Sequence, residues 1–286
     1  MSVRVIARLD IKGPNLVKGI HFEGLRVLGR PEAFARHYYE TGADELLYMD
    51  AVASLYGRNS LLEIVERTSR EIFIPLTVGG GLRTVDDIRT VLRAGADKVS
   101  LNTAAIRSPE LIGEASRAFG SSTVVISVEA MRRPDGTYEA YVDYGREATG
   151  RDAVAWAIEA AERGAGELVV TSIDREGTGT GFDCELTRRI ATAVSIPVIA
   201  CGGAGRVEHA AEAVLSGAAD AVGLASLLHY EAFAHLAAGD EQFREEGNVE
   251  FLQGRRGARA FGRLQPVSVR AVKESLAANG VEVRPS

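Results

Sequence analysis

The sequence predicts the α/β class, a (β/α)8 or TIM barrel built from two half-barrels, and three observations carry that prediction. Short runs rich in Val, Ile and Leu recur without polar alternation, as strands of a parallel sheet buried on both faces must. Eight such runs alternate with helical patterns over about 250 residues, the length of one barrel. Finally, "IPLTVGGGLRTVDDIRTVLRAGADKVSLNTA" from Ile74 recurs as "IPVIACGGAGRVEHAAEAVLSGAADAVGLAS" from Ile196, and "GADEL" at 42–46 recurs as "GAGEL" at 164–168, both at an offset of 122 residues. Two halves of four β/α units each explain that repeat. A doubly wound open sheet does not, and no Gly-x-Gly-x-x-Gly follows the first strand.

The elements follow in order. A strand at 3–10 ends on Asp10 and runs into "IKGPNLVKG", with Lys12, Gly13, Pro14 and Lys18 close behind the acid. A helix is expected at 31–42, then a strand at 45–50 opened by "GADEL" and ended by Asp50. A helix at 59–71 leads to a strand at 74–79 that delivers Gly79, Gly80 and Gly81. A helix at 84–94 and "GAD" precede a strand at 98–102 that ends on Asn102 and Thr103. After a helix at 108–119 comes a strand at 123–129 ending on Glu129, then a helix at 150–164. The strand at 167–173 opens a polar Gly-rich loop, "TSIDREGTGTGFD", before a helix at 183–194. The strand at 197–201 delivers Gly202 and Gly203, a helix follows at 206–217, and the strand at 220–224 ends on Ala225 and Ser226. The stretch 230–264 has no counterpart in the first half and carries Arg255, Arg256, Arg259 and Arg263; a last helix is expected at 266–280. The whole of 1–286 thus reads as one barrel domain with an insertion before its last helix.

Composition bounds the function. The 286 residues are 46% hydrophobic and 25% charged, with net charge −6. A mildly acidic balance argues against sequence-independent nucleic-acid binding, which needs a basic face. No apolar run reaches the roughly 18 residues of a membrane span, and "MSVRVIARLD" has no secretory apolar region. Cys184 and Cys201 read as reduced thiols of a cytoplasmic protein. The five histidines lack metal-ligand spacing, and no cofactor fingerprint is present.

In a barrel the chemistry sits at the C-terminal ends of the strands. Gly80 and Gly81 with Asn102 and Thr103 form one candidate phosphate cradle. Gly202 and Gly203 with Ala225 and Ser226 form its repeat. Glycines admit close backbone approach, and N–H groups at helix starts bind anions. Two cradles across one mouth imply a substrate with a phosphate at each end, although tight βα turns also favour glycine. Asp174, Gly177 and Thr178 in the 171–183 loop add donors beside the second cradle. Asp10 and Glu129 end equivalent strands, one in each half, a pairing suited to general acid–base work or to structural salt bridges. Asp50 and Ser54 are weaker candidates. On the opposite face Arg4, Glu45, Lys98 and Glu167 each begin a strand; two of each sign could form a ring of ion pairs or simply be solvated.

The motifs "RLDIK…LVKG", "GADEL", "IPLTVGGG", "GADKVSLNTAA", "GAGELVVTSIDREGT" and "ACGGAG" resemble the cyclase subunit family of imidazole glycerol phosphate synthase, from about residue 3 to 229 and again over the last helix. The resemblance implies a lyase of histidine biosynthesis. It would take ammonia from a glutaminase partner on the N-terminal face and use it to cleave and cyclise a phosphoribulosyl formimino bisphosphate to an imidazole and a carboxamide ribotide. It maps the catalytic aspartates onto Asp10 and position 129, a mobile-loop lysine onto Lys18, the ammonia gate onto Arg4, Glu45, Lys98 and Glu167, and an interface acid onto Asp97. The chain departs from the family pattern at Glu129 for aspartate, Arg8 for cysteine, Gly13-Pro14-Asn15, and the segment 230–264. Those departures keep two further readings open: a paralogue that amidates a phosphorylated or nucleotide-linked sugar, and a non-catalytic phosphate-binding partner of a glutaminase.

Overall fold

The computed structural model describes residues 2–53, 61–236 and 263–285. In chain order it contains β1 (Arg4–Lys12), β2 (Asn15–Ile20), β3 (Glu23–Gly29), α1 (Pro31–Glu40), β4 (Glu45–Asp50), α2 (Leu62–Ser69), β5 (Leu76–Gly79), α3 (Val85–Arg93), β6 (Lys98–Leu101), α4 (Thr103–Arg107) and α5 (Glu110–Phe119). The second half contributes β7 (Val124–Arg132), β8 (Tyr138–Val142), β9 (Glu147–Asp152), α6 (Ala153–Glu162), β10 (Glu167–Ser172), α7 (Cys184–Ala191), β11 (Val198–Cys201), α8 (Glu208–Leu215), β12 (Ala221–Leu224), α9 (Ser226–Leu236) and α10 (Val269–Ala278). Eight of the strands pair in parallel in the cyclic order β1, β4, β5, β6, β7, β10, β11, β12, and β12 returns to β1. The barrel is closed, as the sequence predicts. The eight expected strands fall within a few residues of the observed ones. β1 and β7 run longer because each continues into an antiparallel hairpin, β2–β3 and β8–β9, that the apolar pattern does not reveal. The expected irregular stretch at 230–264 begins as helix α9; residues 237–262, with Arg255, Arg256 and Arg259, and Ser54 lie outside the described residues.

Strand parity sorts side chains between two cores. Along β1, Val5, Ala7, Leu9 and Ile11 face outward into the shell under the helices, with Phe34, Tyr38, Tyr48 and Trp156 among its largest buried members. Ile6 faces inward and meets Leu47, Met49, Val125, Val169, Ile199, Cys201 and Ala221 in a compact apolar layer inside the barrel. By the same parity Arg4 lies below that layer, with Arg8 and Asp10 above it. Four of the helices start at side-chain caps. Thr84 and Asp87 form a capping box on α3, and Asp152, Asp183 and Ser268 cap α6, α7 and α10.

Register proves the two halves equivalent. Asp10 lies opposite Met49 and Glu129 opposite Thr171, and Met49 and Thr171 are themselves 122 residues apart. The equivalence reaches the hairpin turns. His21 and Phe22 (φ 50° and 63°) recur as Asp143 and Tyr144 (φ 53° and 60°), again 122 residues on.

Aspartates stitch the strand starts. Asp44 accepts a hydrogen bond from the Val5 N–H (2.7 Å), Asp97 from Leu76 (2.8 Å) and Asp220 from Val198 (2.9 Å), each at the strand before its own. Asp97, mapped to an interface by resemblance, thus has a structural task on the same face. Asp44 also binds the Lys273 ammonium at 2.9 Å, both groups 4% exposed, and this fastens α10 to the barrel floor. Lys273→Met leaves the Asp44 carboxylate buried with its cation gone. It is expected to lower unfolding free energy by about 3–5 kcal/mol in urea titrations.

Candidate active site

The C-terminal mouth is charged and almost sealed. Asp10, at the top of β1, is 1% exposed and Glu129, at the same level on β7, is 2% exposed. The Arg8 side chain, two residues before Asp10 on the same inward face, donates from Nε to Asp10 Oδ1 at 3.1 Å and from a terminal nitrogen to Thr171 Oγ1 on β10 at 3.0 Å. It therefore crosses the lumen beneath the acids. Gly223 keeps the neighbouring wall of the lumen thin, since a Cβ there would sit 2.2 Å from Cys201 Sγ. Lys18, on β2, lies 3.7 Å from Asp10 Oδ2 and pairs closely with Glu176.

These partners set the protonation. Burial alone raises the Asp10 carboxyl, but the Arg8 and Lys18 cations outweigh it and hold Asp10 below its ordinary value. Burial pushes the Glu129 carboxyl up to about 7 against the pull of Arg8, helped by the negative charges of Asp10 and Glu176. Glu129 Oε2 is buried with no hydrogen-bond partner. Two equivalent carboxyls are therefore driven apart: Asp10 stays ionised near neutrality while Glu129 is poised between its two forms, a division that acid–base chemistry on one substrate can use.

Two glycine-walled cavities flank the pair. The larger, about 240 Å³, is lined by Gly80, Gly81, Asn102, Thr103 and Glu129. Gly80 is required there: its φ is +97°, and a Cβ would lie 2.6 Å from the Asp50 carbonyl. The smaller, about 20 Å³, is lined by Gly177, Gly202, Gly203, Ala225 and Ser226, with Arg8, Lys18 and Glu176 at its inner side. Each half thus brings its predicted glycines and its following polar residue to one cavity. Two candidates lie elsewhere. Asp174 is exposed, and its carboxylate accepts the Arg132 N–H at 2.9 Å. Thr178 turns into its own loop, donating to the Arg175 carbonyl at 2.7 Å.

The hairpins form a roof. Phe22 and Tyr144, both in left-handed backbone at equivalent turns, meet with ring centroids 4.3 Å apart, and Val17, Ala51 and Ile173 pack with them. His21 anchors one turn to the second half through its N–H to the Glu176 carbonyl at 2.9 Å. Asp143 anchors the other to Thr103 at 3.0 Å and to Arg107 at 2.8 Å. Sequence reasoning missed Glu176, Asp143, Tyr144 and Thr171. Strand parity with Asp10 would have placed Arg8 in the lumen; nothing local marks Glu176.

At the other end, the four strand-start charges form a closed ring of alternating sign. Arg4 contacts Glu45 at 2.7 Å and Glu167 more closely still, while Lys98 contacts the same two carboxylates at 3.1 and 3.0 Å. Each carboxylate side chain is 6% exposed. A cavity of about 520 Å³ opens outside the ring, lined by Arg4, Lys98 and Glu167. Phe73 and Leu215, 80% and 63% exposed, precede β5 and β12 and so lie on this same face.

Among the described residues no group of side chains could hold a metal ion, and no helix is long and apolar enough to cross a membrane. A family model described as "Histidine biosynthesis protein" matches residues 4–234. The chain is 59% identical over 208 residues to the imidazole glycerol phosphate synthase subunit HisF of Legionella pneumophila, covering 73% of this chain and 98% of that one. It is 51% identical over 230 residues to the HisF subunit of Alkaliphilus metalliredigens, covering 80% and 91%. It is 52% identical over 235 residues to that of Thermosynechococcus vestitus, covering 80% and 84%.

Proposed function

The chain belongs to the histidine-biosynthesis family of imidazole glycerol phosphate synthase cyclase subunits, and from that membership we propose that Asp10 and Glu129 are the acid–base pair of its cyclase reaction. The single observation that carries this reading is the pair itself: two equivalent buried carboxyls, one held ionised and the other pushed up to about 7, between two glycine-walled cavities. A substrate with a phosphate at each end spans those cavities. Its reacting carbons then lie over the two carboxyls, where ammonia attacks the ketone and the adduct is cleaved and cyclised. Lys18 sits between Asp10 and Glu176 at the inner edge of the smaller cavity, in reach of the phosphate bound there.

Ammonia enters from below. A glutaminase docks on the N-terminal face, and the ring of Arg4, Glu45, Lys98 and Glu167 is the gate above its outlet. The charged ring leads to the apolar layer around Ile6 and Leu47, through which a small neutral molecule passes more readily than an ion. Phe73 and Leu215 are exposed anchors for that partner. Phe73→Asp and Leu215→Asp are each expected to weaken association by about 1–2 kcal/mol in calorimetry. Turnover with ammonium salt should stay within about twofold of the parent, because neither residue touches the mouth.

The test of the function is turnover of the histidine-pathway bisphosphate by the pure chain with ammonium salt at high pH. Imidazole product supports the reading, and its absence with and without a glutaminase overturns it. The guanidinium beside Asp10 favours one second reading, in which the same ammonia delivery serves a phosphorylated or nucleotide-linked sugar acceptor. Amidation of such a sugar without imidazole product would select it.

A further inference from the structure

The two acids of the mouth are not left to share a proton freely. Two cations and three carboxyls are packed there, and the contacts allot the cations. Arg8 binds Asp10 through Nε and reaches Thr171 on β10, so its guanidinium is fixed at both ends. Lys18 binds Glu176 and lies 3.7 Å from Asp10. Glu129 makes no salt bridge among the described residues, and its Oε2 has no hydrogen-bond partner. With Arg8 and Lys18 charged and Asp10 and Glu176 ionised, the cluster is neutral only if Glu129 keeps its proton. An ionised, unpartnered carboxylate oxygen at 2% exposure is the costly alternative.

Three further titratable groups packed around the pair are neutral near pH 7, while Asp50, Arg83, Arg107 and Asp143 line the outer part of the cavity that Glu129 faces. His229, behind Asp10 on α9, is pushed down to about 3 by burial and the Lys18 charge. Burial pushes the Cys201 thiol up to about 11 and the Tyr144 phenol above its ordinary range. Asp10 is thus the carboxylate that Arg8 contacts directly, whereas Lys18 divides its contacts between Asp10 and Glu176.

We propose that Arg8 is a positioning residue that holds Asp10 permanently as the carboxylate and leaves the exchangeable proton of the mouth to Glu129. Arg8 acts through Asp10, from its seat across the lumen, and the KM of the Arg8→Met variant separates this role from direct contact with a ligand in the smaller cavity that Arg8 also lines. The assignment rests on the reading of Asp10 and Glu129 as the acid–base pair. It gives the reaction one carboxylate held ionised and one carboxyl that exchanges its proton near neutrality.

The test needs neither substrate nor partner in its first arm, so its failure is distinct from failure of the proposed function. Carboxyl carbon resonances of the labelled, uncomplexed protein are followed through pH 4–9 and assigned with Asp10→Asn and Glu129→Gln. In the parent, Asp10 is expected to stay ionised while Glu129 titrates near 7. In Arg8→Met the Asp10 titration should move up by at least about one pH unit, and Arg8→Lys should return it most of the way. An unmoved Asp10 in Arg8→Met overturns the proposal, as does a Glu129 ionised throughout in the parent. In the second arm, at constant free ammonia, Arg8→Met should lower kcat by about tenfold or more with KM for the bisphosphate within about threefold. A raised KM with kcat kept would make Arg8 a substrate contact and overturn the proposal. Should Arg8→Met not fold, Thr171→Val carries the test, because it removes only the second anchor. A several-fold fall in kcat at unchanged KM is expected, and a parental kcat overturns the proposal.

Discussion

Asp10→Asn is expected to remove nearly all turnover and to destabilise the fold in a pH-dependent way. The amide still accepts a hydrogen bond from Arg8, but the charge that balances Arg8 and part of Lys18 is gone from a site 1% exposed. Losing one partner of a buried pair costs about 3–5 kcal/mol, or a Tm fall of roughly 10 °C in a chain of this size. The deficit should be smaller at pH 8 than at pH 5. Without Asp10 the repulsion that helps keep Glu129 protonated disappears, so at the higher pH Glu129 ionises and faces Arg8 in its place. Ammonium-dependent kcat should fall by about 10²–10⁴, the ordinary weight of a general acid–base group. Calorimetry at the two pH values and steady-state kinetics read both effects. A variant with parental kcat would remove Asp10 from the chemistry.

Glu129→Gln is expected to act in the opposite direction on stability. The Glu129 carboxyl titrates near 7 in the folded chain, against an ordinary 4.5. Between those values the folded state holds a proton that the unfolded state has released, so unfolding free energy falls as pH rises through the window. The contribution is fully present below about 4.5 and fully lost above about 7. Glutamine cannot ionise and escapes that loss. The variant should match the parent near pH 4 and exceed it at pH 8 by on the order of 3 kcal/mol. Urea midpoints at the two pH values decide the matter, and an equal gain at both would show a packing effect instead. Turnover should fall by about 10²–10⁴ all the same, because the amide can neither give up nor take on a proton near neutrality.

The barrel was legible because burial on both faces writes a strand as an uninterrupted apolar run, and duplication writes that run twice. The glycine cradles were legible for the same reason. The hairpins were hidden by chemistry: tight turns with positive φ usually declare themselves through Asn-Gly or Asp-Gly, whereas the two-residue turn His21-Phe22 and the first half of the four-residue turn 143–146 hold that conformation with bulky side chains. Their support is the contact between the two rings, which is separated by 122 residues and invisible to any local pattern. Glu176 was missed although Asp174, two residues away, was chosen. Both are acids in a polar loop, and only the path of that loop turns one toward Lys18 and the other toward Arg132. Arg8 sat one strand repeat from Asp10 in the opening motif, and parity alone sufficed to aim it inward.

The aspartate stitches and the charged ring are two registers of one pattern, and its period is a quarter of the barrel. Asp44, Asp97 and Asp220 stand before β4, β6 and β12, every second staves of the wall, and Gly166 stands at the corresponding place before β10. The next residues are Glu45, Lys98, Glu167 and Ala221. Three of the four are ring members; the fourth is the alanine paired in register with Arg4. The vacancy on β12 is filled from its neighbour, since the small side chain of Ala221 leaves space for an arginine rooted on β1. A fourfold scheme with one corner borrowed has no rotational symmetry left, so the floor of this barrel has a defined orientation.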